Sequence, residues 1–475
     1  MTTTPIYPNG PTGQLATWLA TVTLDEVPAQ VRQRAKYLLL DGIGCALVGA
    51  QLPWSRTAVE AVTGFEGSGA SRVIGWGRTT SAPAAAVLNG TFIQGFELDD
   101  FHPFAPVHSA SLVLPALLST AEHLGRAPGS RFLLGAIAGF EVGPRVGLAL
   151  HGPQMLNRGW HSGPVFGTHS AAAAAGVLRG LNGAQFEDAL GLAATQSAGL
   201  MAAQFEAMSK RMHHGFAARN GFYAAGLAAA GYTGIKRVYE QPYGGFLSVF
   251  GEGHDPDPGQ IAADLGQRWE TERIMVKQFA AMGGLHSAIA AALRLRDRVT
   301  ASAIDRIDVD VAETIYHHGW WDAARPLTAI GAQMHIGYSI AAALLDGQVL
   351  PEQFSGSRIN ADDIWTLMSR TTARLDKDLE ADPMKRFSTR ITITLKTGQR
   401  LEELVEQPPG GPASPTTNEQ VAAKFHALTA EVMDASRAAQ IELAVLGMEE
   451  SDDLTELFDL LAAPVGSALE GKTHA

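Results

Sequence analysis

What this chain has little of narrows its class first. Its 475 residues include one cysteine, Cys45, so no intrachain disulfide can form, and thiolate zinc cages and iron–sulfur clusters are excluded as well. A lone thiol suits a reducing compartment, and a cytoplasmic location is expected. Basic residues are outnumbered, 36 against 48, for a formal net charge of −12. Nucleic acid is therefore not an expected partner, because its recognition needs a basic face. The opening MTTTPIYPNGPTG has neither the basic-then-apolar profile of a secretory leader nor the arginines of a transit peptide. No apolar run reaches ~18 residues without a break, so no membrane span is expected. No P-loop, GxSxG, HExxH or GxGxxG within a βαβ unit occurs, which leaves nucleotide and common hydrolase chemistries without support.

What is present is apolar. Hydrophobic residues make up 46% of the chain and charged ones 18%, which fits a well-filled interior. Length gives a first expectation of about three domains, or of two large ones. From Thr12 to about Leu265 the pattern predicts consecutive helices: 27–50, 82–100, 109–125, 131–150 and 169–182, each punctuated by Gly or Pro. Alanine and glycine are frequent on all faces of these segments, as close helix–helix packing requires. After the turn-rich 251–260 the texture changes. Residues 304–314 and 386–407 alternate apolar and polar as half-buried strands do, with Thr397-Gly398 as the hairpin turn. Helical patterns at 331–347 and 361–375 lie between them. The expected fold is therefore mainly α, with an α+β unit over 270–405, a Pro/Gly-rich linker at 408–419 and a helical tail that packs back on the N-terminal part.

Five polar clusters carry the candidate chemistry. ELDDFHPFAPVHSAS (97–111) gathers Glu97, Asp99, Asp100, His102 and His108, a set able to move protons or to hold a metal, or simply a capped helix end. NRGWHSGPVFGTHSAA (157–172) sets His161 and His169 around a Gly/Pro loop before an Ala-rich helix, whose free N–H groups favour an anion. KRMHHGFAARNG (210–221) concentrates Lys210, Arg211, His213 and His214 among apolar neighbours, an arrangement better suited to binding carboxylates than to a solvated face. Lys277 and His286 lie in an apolar stretch, where a lysine needs an anion unless it snorkels. For His169, His317, His318 and His335, packing or surface roles are expected.

Together with RVIGWGR (72–78), YGGFLSVF (243–250) and RPLTAIGAQM (325–334), these segments resemble the MmgE/PrpD family over nearly the whole chain. That family includes 2-methylcitrate dehydratases, cis-aconitate decarboxylases and an iminodisuccinate epimerase. Within it, the stretches around Glu97–Ser111 and Lys210–Gly221 are most similar to the fungal type of cis-aconitate decarboxylase, although His213 replaces a Gln of that type and 277–286 lacks its cysteines. The resemblance implies a helical domain formed by 1–268 and 408–475, and an α+β lid over 269–407. It implies a homodimer and an active site between the domains that uses no cofactor and no metal. The expected reaction is decarboxylation of a tricarboxylate by acid/base chemistry. Dehydration of a hydroxy-tricarboxylate, epimerisation, a metal-dependent reaction at Glu97–His108 and non-catalytic carboxylate binding are the alternatives. By the same resemblance His108, Lys277, Asp99 and Asp100 are catalytic candidates. Lys210, His161, Arg211, His102, His213, His286 and Glu97 are substrate-binding candidates.

Overall fold

The structure, a computed structural model, describes residues 2–126, 128–381, 385–411 and 414–469. Its N-terminal half is a stack of helices: α1 (Ala29–Gly49), α2 (Ala82–Ile93), α3 (Ala110–Leu124), α4 (Gly129–Ala149), α5 (Ser162–Arg179) and α6 (Ser209–Ala229). A short hairpin, β1 (Ser71–Val73) with β2 (Arg78–Thr80), interrupts the series where only helix was expected. α5 is central and packs on α3, α4 and α6, while α2 crosses α6. That crossing has no room for side chains. A Cβ on Gly90 would lie 2.7 Å from Gly215 Cα, and one on Gly215 would lie 2.1 Å from the Val87 carbonyl. The two glycines thus set the depth at which α6 sits, and with it the position of Lys210 and His214.

α4 passes a length-and-composition test for crossing a membrane, but Glu141 and Arg145 interrupt it and 94% of its apolar window is buried inside the fold. Glu141 and Arg145, one turn apart on it, are both fully buried, 3.5 Å from each other. The carboxylate also accepts from Glu270 N and Thr271 N, and the guanidinium donates to Ala263 O and Arg268 O. This is a core helix whose polar groups are satisfied by protein.

The α+β part holds a four-stranded sheet: β3 (Ile304–Val311), β4 (Thr371–Leu375), β5 (Thr389–Leu395) and β6 (Arg400–Val405), in the order β4-β3-β5-β6. β3 and β4 are parallel, with Ile307 opposite Thr371, and the other pairs are antiparallel. The β5–β6 turn falls at Thr397-Gly398 as expected, with Gly398 at φ +87°. Residues 361–375, expected to be helical throughout, divide instead. The helix ends at Met368, and the β-branched pair Thr371-Thr372 opens β4. α7 (His286–Arg296) packs across β5 and β6 and against α8 (Ile336–Asp346). The tail returns as expected: α9 (Asn418–Thr429) lies along α1, and Gly75 N and Gly77 N donate to Leu461 O and Ala462 O. Of the 408–419 linker, residues 412 and 413 lie outside the described residues.

Candidate active site

The site begins where α2 stops. After Ile93 a single 3-10 turn, Gln94–Phe96, leads to Glu97, which adopts φ +55° and ψ +30°. A left-handed conformation is costly for a side-chain-bearing residue and is held only when its surroundings dictate it. Here they do. Phe101 N and O exchange 2.8 Å hydrogen bonds with Met275, which ties this segment to the strand-like stretch leading to Lys277. Lys277 Nζ then donates to both Glu97 O, at 3.2 Å, and Glu97 Oε2, at 3.3 Å. From α6, Lys210 Nζ pairs with Glu97 Oε1. All three groups are buried. Burial alone would push the Glu97 carboxyl up, but the two lysines hold it well below the usual carboxylate range. Burial also lowers Lys210, and Glu97 opposes that drift only in part.

Two residues on, Asp99 Oδ1 stands 3.2 Å from His108 Nδ1. Asp100 turns to another task. Its oxygens accept from Ala110 N at 3.0 and 3.2 Å, capping the start of α3. Burial raises Asp100 well above an ordinary aspartate, and Asp99 and Asp41 raise it further. Behind the segment, Lys424 of α9 donates to Leu98 O at 2.6 Å and lies 2.7 Å from Asp41 Oδ1. Burial would lower this lysine, but Asp41 and its neighbours more than offset the effect and raise it.

α5 opens at Ser162, so Ser162–Thr168, expected as a loop, forms its first turns and His161 is its N-terminal flanking residue. Proline is tolerated within the first turn, which is why Pro164 does not prevent this. His161 Nδ1 is 2.8 Å from His213 Nδ1, so one ring donates to the other. His214, fully buried, sets its ring 5.1 Å from His161 and 5.2 Å from His108. Neither His214 nitrogen has a hydrogen-bond partner among the described residues. Gly163 makes room for it: a Cβ there would lie 2.2 Å from His214 Nε2. Burial, reinforced by Lys210 and the neighbouring rings, drives His161 and His214 well below the usual imidazole range. Both rings are therefore neutral at pH 7.

Four of these groups, Glu97, His108, His161 and Lys210, line a cavity of about 350 Å³, whereas Lys277, Asp99 and Asp100, expected as catalytic, are not among its lining residues and Lys277 reaches it only through Glu97. One wall carries Glu97, His108, His161 and Lys210. The opposite wall comes from the α+β part and carries Thr314, Ile315, His318, Arg386 and Phe387, with Met201, Met282, Met334 and Phe101 supplying apolar surface. Paired cations beside a neutral imidazole cluster, with His108 3.2 Å from a buried aspartate, suit binding of a small polyanion and transfer of a proton to or from it.

Comparison with known proteins assigns both parts of the chain to one family. The MmgE/PrpD N-terminal domain matches residues 13–259, and the MmgE/PrpD C-terminal domain matches 279–450. The chain belongs to the MmgE/PrpD family. Within that family it is 43% identical to the cis-aconitate decarboxylase-like protein oryM of Aspergillus oryzae, over 97% of this chain and 99% of the relative. A cis-aconitate decarboxylase of Aspergillus terreus is 40% identical, over 97% and 98%. The human cis-aconitate decarboxylase is 26% identical, over 95% of each chain.

Not every residue expected at the site of this MmgE/PrpD protein reaches the cavity wall. Arg211 is buried away from it: Nε donates to Gly95 O at 2.8 Å, an Nη to Gln333 Oε1 at 2.9 Å, and the guanidinium lies 4.0 Å from the centre of the Trp54 ring. Two of its donors fasten α6 to the end of α2 and to Gln333, and it is not among the residues that line the cavity. His102 faces Glu270 at 3.1 Å and accepts from Ala105 N at 3.0 Å, so it organises the Pro-rich loop. His286 opens α7 and packs edge-on against Phe279. His213 is half-buried and looks into a second, outer groove beside Phe216 and Leu200. His169, expected on a packing loop at the surface, is instead buried in mid-helix with Nδ1 on the Tyr239 hydroxyl, 2.8 Å away. The Glu97–His108 set does not converge on one point, since Glu97, Asp99, Asp100 and His102 each have a different partner. Sequence reading passed over His318 and Arg386. His318 was expected to pack or face solvent, yet it is buried on the cavity wall with neither ring nitrogen bonded among the described residues, and burial pulls it to about 4. Its apolar setting, between Ile315 and Trp320, was the available signal. Arg386 stood at the start of a predicted strand with nothing to distinguish it.

Proposed function

We propose that the protein is a carboxy-lyase that converts cis-aconitate to itaconate and CO2 by acid/base chemistry of its own side chains, without a cofactor. The observation that carries this reading is the Lys210–Glu97–Lys277 cluster beside His108, whose Nδ1 lies 3.2 Å from Asp99 and whose ring lines the same cavity. The names of the two Aspergillus relatives, similar over nearly the full length, support it.

The chemistry follows from charge. As CO2 leaves, the electron pair of the broken C–C bond passes into the adjacent C=C. The double bond shifts, and the far carbon takes a proton, so a trianion and one proton become a dianion and CO2. His108 delivers that proton, while Asp99 orients the ring and stabilises its protonated form. Lys210 and His161 hold a carboxylate that stays, and Lys277 keeps Glu97 charged and in place, so that both lysines remain fixed when charge develops on the substrate. The departing carboxylate is best placed against the methionine and phenylalanine surface, where no cation stabilises it in the ground state. Asp100 acts from behind as the cap of α3.

The same proposal includes a division into a helical domain (1–268 and 408–475) and an α+β lid (269–407), a homodimer, and a cytoplasmic location. A buried free Cys45 fits that last point. The test is a substrate panel followed by NMR. Incubation with cis-aconitate should yield itaconate and CO2, with full activity after exhaustive chelation. Dehydration of 2-methylcitrate without CO2 release from cis-aconitate would overturn the reading in favour of a hydro-lyase, and binding without turnover would leave a carboxylate-binding protein.

A further inference from the structure

The cavity's helical wall has less positive charge than its residue types suggest. Lys210 and Lys277 share the Glu97 carboxylate, which leaves one net positive charge there, and His161 and His214 are neutral. A substrate that keeps two carboxylates through the reaction needs a second cation. Among the described residues, Lys210 and Arg386 are the lysine and arginine side chains that line the cavity. Arg386 comes from the opposite wall, just before β5. Its Nε is buried without a hydrogen-bond partner. The nearest carboxylate, Glu380, stands off at 3.6 Å and is already engaged, through Oε2, by Glu313 N at 2.9 Å. The adjacent Phe387 packs edge-on against Phe101, ring centres 6.0 Å apart, and Phe101 lies 6.0 Å from the His108 ring.

We propose that Arg386 is the specificity-determining residue of this cavity: it receives the carboxylate that Lys210 does not, so that the site selects tricarboxylates over dicarboxylates. The inference rests on the polycarboxylate reading above and deepens it. The guanidinium is a rigid fork suited to a carboxylate, and it enters the cavity from the α+β part whereas Lys210 enters from α6, so the two cations set the substrate's direction as well as its charge. The Phe387–Phe101 contact places the arginine's own segment against the ring that neighbours His108. Occupation of the Arg386 end and alignment of the proton donor are thereby linked through two packed rings.

Binding of three saturated, unreactive probes tests this on the full-length protein: tricarballylate, glutarate and succinate, titrated calorimetrically into wild type, Arg386→Gln and Arg386→Lys. Loss of one charge-assisted contact should weaken tricarballylate about 10–100-fold in Arg386→Gln, with Arg386→Lys recovering part of it. At least one dicarboxylate should bind both proteins alike, because it can leave the Arg386 end empty. Thermal unfolding should match wild type, since the side chain is about one-third exposed. Tricarballylate binding within about threefold of wild type, or equal loss of all three probes, would overturn the proposal. Release of CO2 from cis-aconitate by wild type is scored separately. If CO2 is absent but tricarballylate binding depends on Arg386, the decarboxylase reading falls and the subsite stands. CO2 release together with an unchanged Arg386→Gln gives the reverse.

Discussion

The short segment from Glu97 to Asp100 has opposite charge environments on its two sides. Towards the cavity, two buried lysines attend one carboxylate. Behind it, the buried Lys424 contacts Asp41, with Asp99, Asp100 and Arg34 near enough to shift the same titrations. The first arrangement is redundant in cations and poised for a polyanion. The second has one cation in contact, with Arg34 acting on Asp41 and Asp100 only at longer range. A protein with a net charge of −12 can thus present a locally positive pocket by placing its excess carboxylates behind the catalytic segment.

This contrast can be broken at chosen points. The largest effect is expected at the acid itself: His108→Ala should lower kcat about 10³-fold or more, with thermal unfolding close to wild type because the ring lies at the cavity wall. Next, Lys277→Ala should cost about 10²–10³-fold in kcat/KM and little stability, since Lys210 still neutralises Glu97; collapse of the fold would show the cavity side to be no more redundant than the rear. Lys424→Met should do the opposite damage, destabilising the protein by about 3–5 kcal/mol in urea titrations because it strands buried carboxylates. Adding Asp41→Asn should restore part of that loss, and a strictly additive double mutant would argue against the pairing.

Acid should expose the neutral histidines. His169 and His286 are pulled to about 3 by burial, with Lys277 contributing at His286, and His335 to about 4 by burial. Below pH 6.5 the unfolded chain binds protons that these folded rings refuse, so stability falls as pH drops towards their folded values. Each contributes a loss on the order of 2 kcal/mol between pH 6.5 and 4.5, and His286→Gln should flatten the curve by one such step. The smallest effect is expected at His213→Gln. The amide can replace the bond to His161, so kcat should stay within about threefold of wild type.

The sequence made the helical stack, the β5–β6 turn and the return of the tail legible, because each rests on a local pattern: small-residue helices, a Thr-Gly turn and a Pro/Gly break. It also supplied Lys210, Lys277, His108 and His161, through the family resemblance. Burial alone does not separate a ligand-facing polar group from a structural one; the difference lies in who satisfies it. Arg211 and Lys210 are neighbours in sequence and both buried, yet one is spent on Gly95 and Gln333 and the other faces the cavity. That outcome depends on the α2–α6 crossing, which spacing within α6 cannot reveal. His102 and His318 make the same point from opposite directions. β4 escaped notice because its threonines sat in the shadow of a short helix, and its pairing partner is the parallel strand β3 rather than an adjacent hairpin.

The Lys424–Leu98 hydrogen bond spans 326 residues of sequence, and that has a consequence for biosynthesis. A chain emerging from the ribosome folds largely from its N-terminus, and the helical stack has most of its partners long before the end is made. The Glu97–Asp100 segment does not. Its rear support arrives only when α9 leaves the exit tunnel, so Asp41 waits without Lys424 while more than half of the protein is still being translated. A nascent or truncated chain lacking α9 would hold a stack of helices and no catalytic centre, which couples the appearance of activity to completion of the polypeptide.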